Sequence, residues 1–466
     1  MNYSNSDLHQ LLFDNLHKLN RWRNGGQPNG NSDQIEPSEL DVSAEQISDV
    51  MKKLIRRLEG NYPFHDASYA GQMLKPPHPA AWLAYLLTST INPNNHALDG
   101  GPPTSEMEKE SVNKLANMIG FGPKYLGHLT SGGTMANLEA LWVAKNVHPD
   151  KAVAFSSLAH YTHKRMCNLL DIPSITIPAN LNGEWDIASL NDKWPEIGTL
   201  VVTLGTTGLG MVEPLHEILS EAKKHNVRIH VDAAYGGYFK LLEGNGLIDS
   251  QPWQATSDVD SLVIDPHKHG LQPYGCGCVL FNDPTVGRFY KHDSPYTYFT
   301  SDELHLGEIT LECSRPGAAA AALWTTLELF PLKEKTGMGP ILAACREAAL
   351  HFYNQLKDAP TYNPIVEPQL DIVGYYPVPK RKKDKISTST ITAYSKQIFE
   401  RGMNSSSKPI YVSLYKVSSE QLHKTNPEII IESDQTTILR SVLMKPEHKS
   451  FIPELMSRLH QYHPES

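Results

Sequence analysis

The chain has 466 residues, enough to bury a large core and to divide into two or three structural units. Its formal net charge of −9 and isoelectric point near 6.2 argue against nucleic acid or an anionic membrane as the main partner. No apolar run approaches the ~20 residues of a membrane span, the N-terminus (MNYSNSDLHQ) lacks the marks of a signal peptide, and five cysteines are too few, and odd in number, for a disulfide framework. A reducing cytoplasm is the expected setting.

Residues 1–22 place Leu8, Leu11, Leu12, Leu16 and Leu19 at amphipathic-helix spacing. A Gly/Pro/Asn-rich linker, 23–37, follows. A second helix is predicted from a Ser43 cap, with Ile47, Val50, Met51 and Leu54 on one face. This N-terminal helical segment, 1–75, has no core of its own and is expected to pack on the main domain or on a partner subunit. From 76 to 330 the apolar runs KAVAFS, SITIP, TLVVTLG, VRIHVD, SLVID and CGCVLF alternate with helical stretches, which predicts an α/β domain with a mostly parallel central sheet. Cys276 and Cys278 fall in the last of these runs and read as core; a second cysteine pair for zinc is missing. Pro331 marks a boundary, and 331–466 reads as a small C-terminal α/β domain with a helix from Ile341. The basic run PKRKKDKIS, 379–387, is most simply a solvated loop or strand edge.

Three stretches carry chemistry. The strand at 262–264 breaks at Pro266 and delivers Lys268, flanked by His267 and His269; ligands bind at strand ends in open α/β sheets, and a lysine there can form a Schiff base. Most strand-end lysines are simply solvated, so this stretch alone is weak. The strand at 227–232 ends in Asp232, followed by small residues including Ala234. A carboxylate so placed suits the ring nitrogen of pyridoxal phosphate, and it could equally be a plain strand-end cap. At 130–137, small residues with Gly132 and Gly133 lead into a helix whose free N–H groups can hold an anion, although glycine-rich helix starts are common. A phosphate cradle, an acidic strand end and a lysine strand end, in that order, are much less expected together by chance.

The segments TSGGTMAN, SLAHYTHKRM, TLGTTGLG, HVDAAYGG and DPHKHG resemble the successive signatures of the group II pyridoxal-dependent amino acid decarboxylases, over roughly residues 60–450. AGQMLKPPHP, INPNNHALDGG and SRPGAAAAALW look closer to the bacterial and archaeal tyrosine-decarboxylase-like branch. The resemblance implies the aspartate-aminotransferase-like fold (fold type I), pyridoxal 5'-phosphate as cofactor, and a homodimer with the active site at the subunit interface. It implies that Lys268 holds the cofactor, that Asp232 pairs with its ring nitrogen, and that Ala234 touches one ring face. His160 would stack on the other face, near the substrate carboxylate. Gly133, Thr134 and His267 would hold the phosphate, and Thr207 matches a threonine near the ring, with a plain turn residue as the alternative.

Arg440, in TILRSVLMKP, resembles the arginine that grips the substrate α-carboxylate in glutamate-specific relatives, and a surface ion pair is its alternative. Gln72 and Met73 are placed by position alone at the border of the substrate side-chain pocket. The protonation of Cα falls, by resemblance, to a tyrosine of a loop about 30 residues past the lysine, contributed by the other subunit. KHDSPYTYFT offers Tyr296, with Tyr298 as runner-up. Two departures affect the pocket wall: Asp265 stands where animal relatives often carry asparagine, and His269 where they carry tryptophan. An aspartate beside a phosphate weakens binding unless it pairs or turns away. Arg315 has no assigned role at this stage.

The expected reaction is decarboxylation of an L-amino acid, an aromatic one such as tyrosine, to its amine. The alternatives are an acidic or non-standard amino acid, or decarboxylative aldehyde synthesis. A metal-dependent hydrolase using His267, His269 and Asp232 leaves Lys268 and the glycine-rich stretch unexplained, so no metal is assigned.

Overall fold

The computed structural model describes residues 4–25, 42–96, 98–291, 309–380 and 386–465. Seven strands make the central sheet: β1 (Leu126–Thr130), β2 (Ala152–Ser156), β3 (Ser174–Ile177), β4 (Ile197–Thr203), β5 (Arg228–Asp232), β6 (Ser261–Ile264) and β7 (Gly277–Phe281). Their order is β1-β7-β6-β5-β4-β2-β3. Neighbours from β6 through β5, β4 and β2 to β3 are parallel, and β7 alone runs antiparallel to both of its neighbours. The mostly parallel α/β sheet expected from the strand–helix alternation is therefore present. Sequence reading overlooked β1, because Gly127 and His128 interrupt its apolar pattern.

Alternation along the strands decides where chemistry can occur. Leu200, Val202, Ile229, Val231, Leu262 and Ile264 join the large core on one side of the sheet. Val263 and Val279 face the other side, with Ala136, Ala140 and Val143 of the helix Gly133–Val147. Thr203 and Asp232, at the strand ends, share the parity of that second side, and Asp265 follows β6 in the same register. All three line a single cavity with the start of the helix.

A second sheet, order β10-β11-β9-β8, is antiparallel throughout: β8 (Tyr362–Pro364), β9 (Ile372–Pro377), β10 (Ser413–Ser418) and β11 (Gln435–Val442). Val373, Tyr375 and Leu439 pack on the helices Met338–Asp358 and His448–Tyr462. Ile438, on the opposite face, packs with Leu209 and Met211 from the loop after β4. The helix predicted from Ile341 begins at Met338.

At the N-terminus, Leu8, Leu12, Leu16 and Leu19 are half-buried in the helix Asn5–Gly25, while Leu11 is exposed. Ser43 caps the helix Ala44–Leu58 in a capping box with Gln46. No residue of that helix is buried, and Ile47, Val50, Met51 and Leu54 are all exposed. Most of the 23–37 linker and residues 381–385 of the basic run lie outside the described residues. Among the described residues no helix is long and apolar enough to cross a membrane.

Candidate active site

The cavity, about 320 Å³, is lined by Ser131 to Met135, His160, Thr203, Thr207, Asp232, Ala234, Asp265, His267 and Lys268, among others. Its floor is the turn from β1 into the helix Gly133–Val147. Gly132 is the N-cap and supplies no side-chain hydrogen bond, so the first-turn N–H groups keep their capacity for an anion. Its φ of +153° lies in the region that favours glycine. A Cβ on Gly133 would stand 2.6 Å from Asp265 Oδ2, so the backbone approaches that carboxyl more closely than any side chain allows.

Asp232, at the end of β5, is buried. Its Oδ2 lies 2.9 Å from His163 Nε2, and its Oδ1 accepts the Ala234 N–H at 3.2 Å. Burial works against its ionisation, but the His163 contact, Lys268 and the Ala234 N–H outweigh it and hold the carboxyl well below the usual range. Ala234 is buried on the cavity wall. His160 is half-buried; its Nδ1 lies 2.7 Å from Thr162 Oγ1 and also accepts the Thr162 N–H at 3.4 Å. With Nδ1 accepting, the proton sits on Nε2, and burial lowers the imidazole's pKa, favouring this neutral form.

Lys268 is half-buried, its Nζ 3.3 Å from Asp265 Oδ2. Asp265 Oδ2 is also 3.5 Å from His267 Nε2, while its Oδ1 has no hydrogen-bond partner. Burial raises the Asp265 pKa, against the pull of Lys268 and His267. The concern over this aspartate thus has a structural answer: it pairs with the lysine, and its proton affinity is raised. His267 lines the cavity, and its Nδ1 contacts the Cys276 carbonyl at 2.8 Å. His269 departs from expectation, because it is no part of the pocket wall. It is fully buried against Tyr235 and Phe239, with Nε2 3.3 Å from Asp371 Oδ2. His267 faces the cavity while His269 turns into the core, so the two do not converge as metal ligands. Cys276 and Cys278 are buried and free, as core residues.

Thr134 and Thr207 line the cavity from exposed positions. Arg440 lies on the face of β11 that also carries Ile438, the face met by the loop after β4. It is 6% exposed, donates through Nη2 to the Thr207 carbonyl at 2.8 Å and through Nη1 to Ser413 Oγ at 3.2 Å, and its Nε has no partner. Among the described residues no carboxylate lies within ion-pair distance of it, so the surface ion pair is not seen. Arg440 stands behind Thr207, outside the cavity lining. Gln72 is exposed and Met73 half-buried, and neither lines the cavity. Tyr296 and Tyr298 lie outside the described residues.

Several buried groups that sequence reading missed hold the site in shape. Arg315 Nη1 donates to Glu108 Oε1 at 2.5 Å and to the Leu129 carbonyl at 2.8 Å; Glu108 also accepts the Leu129 N–H and Asn95 Nδ2. This buried pair clamps the end of β1 just ahead of Ser131, a role for Arg315 that no local signal carries. Glu213 accepts from Ser156 Oγ and from the Thr203 N–H, tying β2 to β4. His230 contacts Ser261 Oγ and Asn137 Oδ1, and Asn137 donates to the Gly133 carbonyl. Burial, the largest influence, brings the His230 pKa down to about 3. His163 could have been suspected from its spacing of three after His160; its partner could not.

These residues fit the expected pyridoxal phosphate. An uncapped helix start can receive a phosphate, an ionised carboxylate can meet a protonated ring nitrogen, and a lysine lines the same cavity.

A family model described as the pyridoxal-dependent decarboxylase conserved domain matches residues 32–375. A probable L-tyrosine/L-aspartate decarboxylase of Methanosphaera stadtmanae is 29% identical over 69% of this chain and 80% of its own length. An L-tyrosine decarboxylase of Enterococcus faecium is 25% identical over 89% of this chain and 87% of its own. Among solved structures, mouse CSAD aligns over 99% of this chain and all of its own with a TM-score of 0.77 at 17% identity. Oryza sativa TDC with PLP and tryptamine aligns over 99% of both chains, TM-score 0.77, at 15% identity. At such identities the structural matches carry the fold, which is fold type I.

Proposed function

This chain belongs to the pyridoxal-dependent decarboxylase family, an amino acid carboxy-lyase using pyridoxal phosphate, and we propose that it converts an aromatic amino acid, tyrosine first among them, to the corresponding amine. The observation that carries the reading is the gathering of Lys268, ionised Asp232 and the uncapped Gly132–Thr134 turn around one cavity. The tyrosine-decarboxylase names of the sequence relatives support the substrate.

Bound pyridoxal phosphate supplies an electron sink for the pair left behind by departing CO2. Lys268 would hold the cofactor through its ε-amine. The turn amides of Gly133 and Thr134, with His267, hold the phosphate. Asp232 holds a proton on the ring nitrogen, Ala234 leaves room for one ring face, and His160 covers the other. Arg440 orients the substrate α-carboxylate with its planar fork, shifting from its contact with the Thr207 carbonyl, and Gln72 borders the far side of the substrate. Tyr296 of the partner subunit returns a proton to Cα. We further propose divisions near residues 75 and 330, a cytoplasmic setting, and a homodimer, which the uncovered apolar face of the helix Ala44–Leu58 supports.

The test is to incubate the cofactor-loaded protein with each common amino acid and quantify CO2, amine and aldehyde by mass spectrometry. Tyramine from tyrosine, abolished by Lys268→Ala, is expected. β-Alanine from aspartate in its place would move the substrate to the acidic class that the archaeal relative's name also includes. Aldehyde with ammonia would remove Tyr296 as proton donor.

A further inference from the structure

Asp232 has a second neighbour whose chemistry the reaction scheme above leaves unused. His163 lies on the short helix Thr162–Leu169, three residues after His160. The two imidazoles part company there: His160 lines the cavity, while His163 is fully buried against the sheet. Phe155 lies beside it, ring centroids 6.0 Å apart, in a cluster with Met166 and Cys167, and His160 and His230 are close enough to interact with it electrostatically. Its one polar contact among the described residues is Nε2 to Asp232 Oδ2, 2.9 Å. Among the described residues Nδ1 has no hydrogen-bond partner.

An ionised carboxylate only accepts, so Nε2 must carry the hydrogen.

We propose that His163 is a positioning residue: an Nε2–H donor that fixes the Asp232 carboxylate in rotation, so that it faces the cofactor's ring nitrogen. Asp232 is held from two sides, by the Ala234 N–H on Oδ1 and by His163 on Oδ2, so that its remaining lone pairs point in one set of directions. Without the histidine, a buried carboxylate would keep one backbone donor only. It would then rotate, or take up a proton and cease to be the partner of a protonated ring. The inference rests on the reading that Asp232 meets the ring nitrogen.

The experiment compares His163→Phe, which keeps bulk and removes the donor, with His163→Gln, whose amide N–H can replace Nε2–H, and with Asp232→Ala. Each holoprotein is read by the absorption spectrum of bound cofactor, by cofactor Kd from dialysis, and by kcat and KM. Loss of a hydrogen bond to a charged group predicts that His163→Phe lowers kcat about 10–100-fold, with KM little changed, a weaker cofactor Kd and an altered spectrum. His163→Gln is expected to recover most of each. If His163→Phe does not fold, His163→Asn, too short to reach Asp232, is read in its place. Wild-type spectrum and kcat in the donor-less variant would overturn the proposal, as would a folded Gln variant no better than Phe. If Asp232→Ala itself keeps the wild-type spectrum and rate, the ring-nitrogen reading fails first. A crippled Asp232→Ala beside a normal His163→Phe sinks the histidine alone.

Discussion

Glu213 gives the most quantitative prediction. It is fully buried, accepts the Thr203 N–H at 2.6 Å and a hydrogen bond from Ser156 Oγ, and so joins β2 to β4 beside the cavity. Burial, opposed by those hydrogen bonds, pushes its carboxyl from 4.5 up to about 7. Between those two values the folded protein binds a proton that the unfolded chain has released, so this group's contribution to stability falls as pH rises through the window. Above the folded pKa the destabilisation is complete, about 3 kcal/mol; at pH 5.5 it is only about 1.5 kcal/mol. Glutamine has the same shape, can accept from Thr203 and can donate to a rotated Ser156 hydroxyl, but cannot ionise. Urea unfolding of Glu213→Gln and wild type, followed by tryptophan fluorescence, should therefore show a variant whose relative stability is about 2 kcal/mol better at pH 8.5 than at pH 5.5. A difference constant with pH to within about 0.5 kcal/mol, or one of opposite sign, would refute the assignment of a raised carboxyl at this position.

Three further outcomes are expected. Glu108→Ala leaves the buried Arg315 guanidinium, Asn95 Nδ2 and the Leu129 N–H without their shared acceptor, and should lose about 3–5 kcal/mol of stability in the same urea assay; a loss below about 1 kcal/mol would mean that the clamp is not needed. Gly132→Ala sets a side chain at φ +153° and 3.2 Å from His267 Cε1, so cofactor Kd by dialysis should weaken about tenfold or more, and an unchanged Kd would contradict the cradle. Arg440→Lys keeps the charge and loses the planar fork; KM for the amino acid should rise about tenfold or more at unchanged cofactor Kd, and an unchanged KM would remove Arg440 from substrate binding.

What the sequence determined by itself is what short-range physics can carry. The apolar runs that became β2 to β6 were legible because buried parallel strands read as continuous β-branched and aliphatic stretches, β7 because it is buried on both faces although antiparallel, and Ser43 announced its helix as an N-cap. Lys268 and Asp232 were legible because each sits where a strand ends, and strand ends of such sheets converge on ligands; the Gly132–Gly133 turn was legible as a glycine-rich helix start. Tertiary structure alone decided what lies far apart along the chain. β1 was hidden because its pattern is broken, and it is completed only by pairing with β7, some 150 positions later. Arg315 finds Glu108 across 207 positions, Tyr235 finds Asp371 across 136, and His163 finds Asp232 across 69. His269, next to the lysine in sequence, turns into the core because Asp371 and two aromatic rings are there to receive it. Such pairs are chosen by burial: a polar group taken from water must find whatever partner folding brings to it, and its identity is written nowhere in the neighbouring residues.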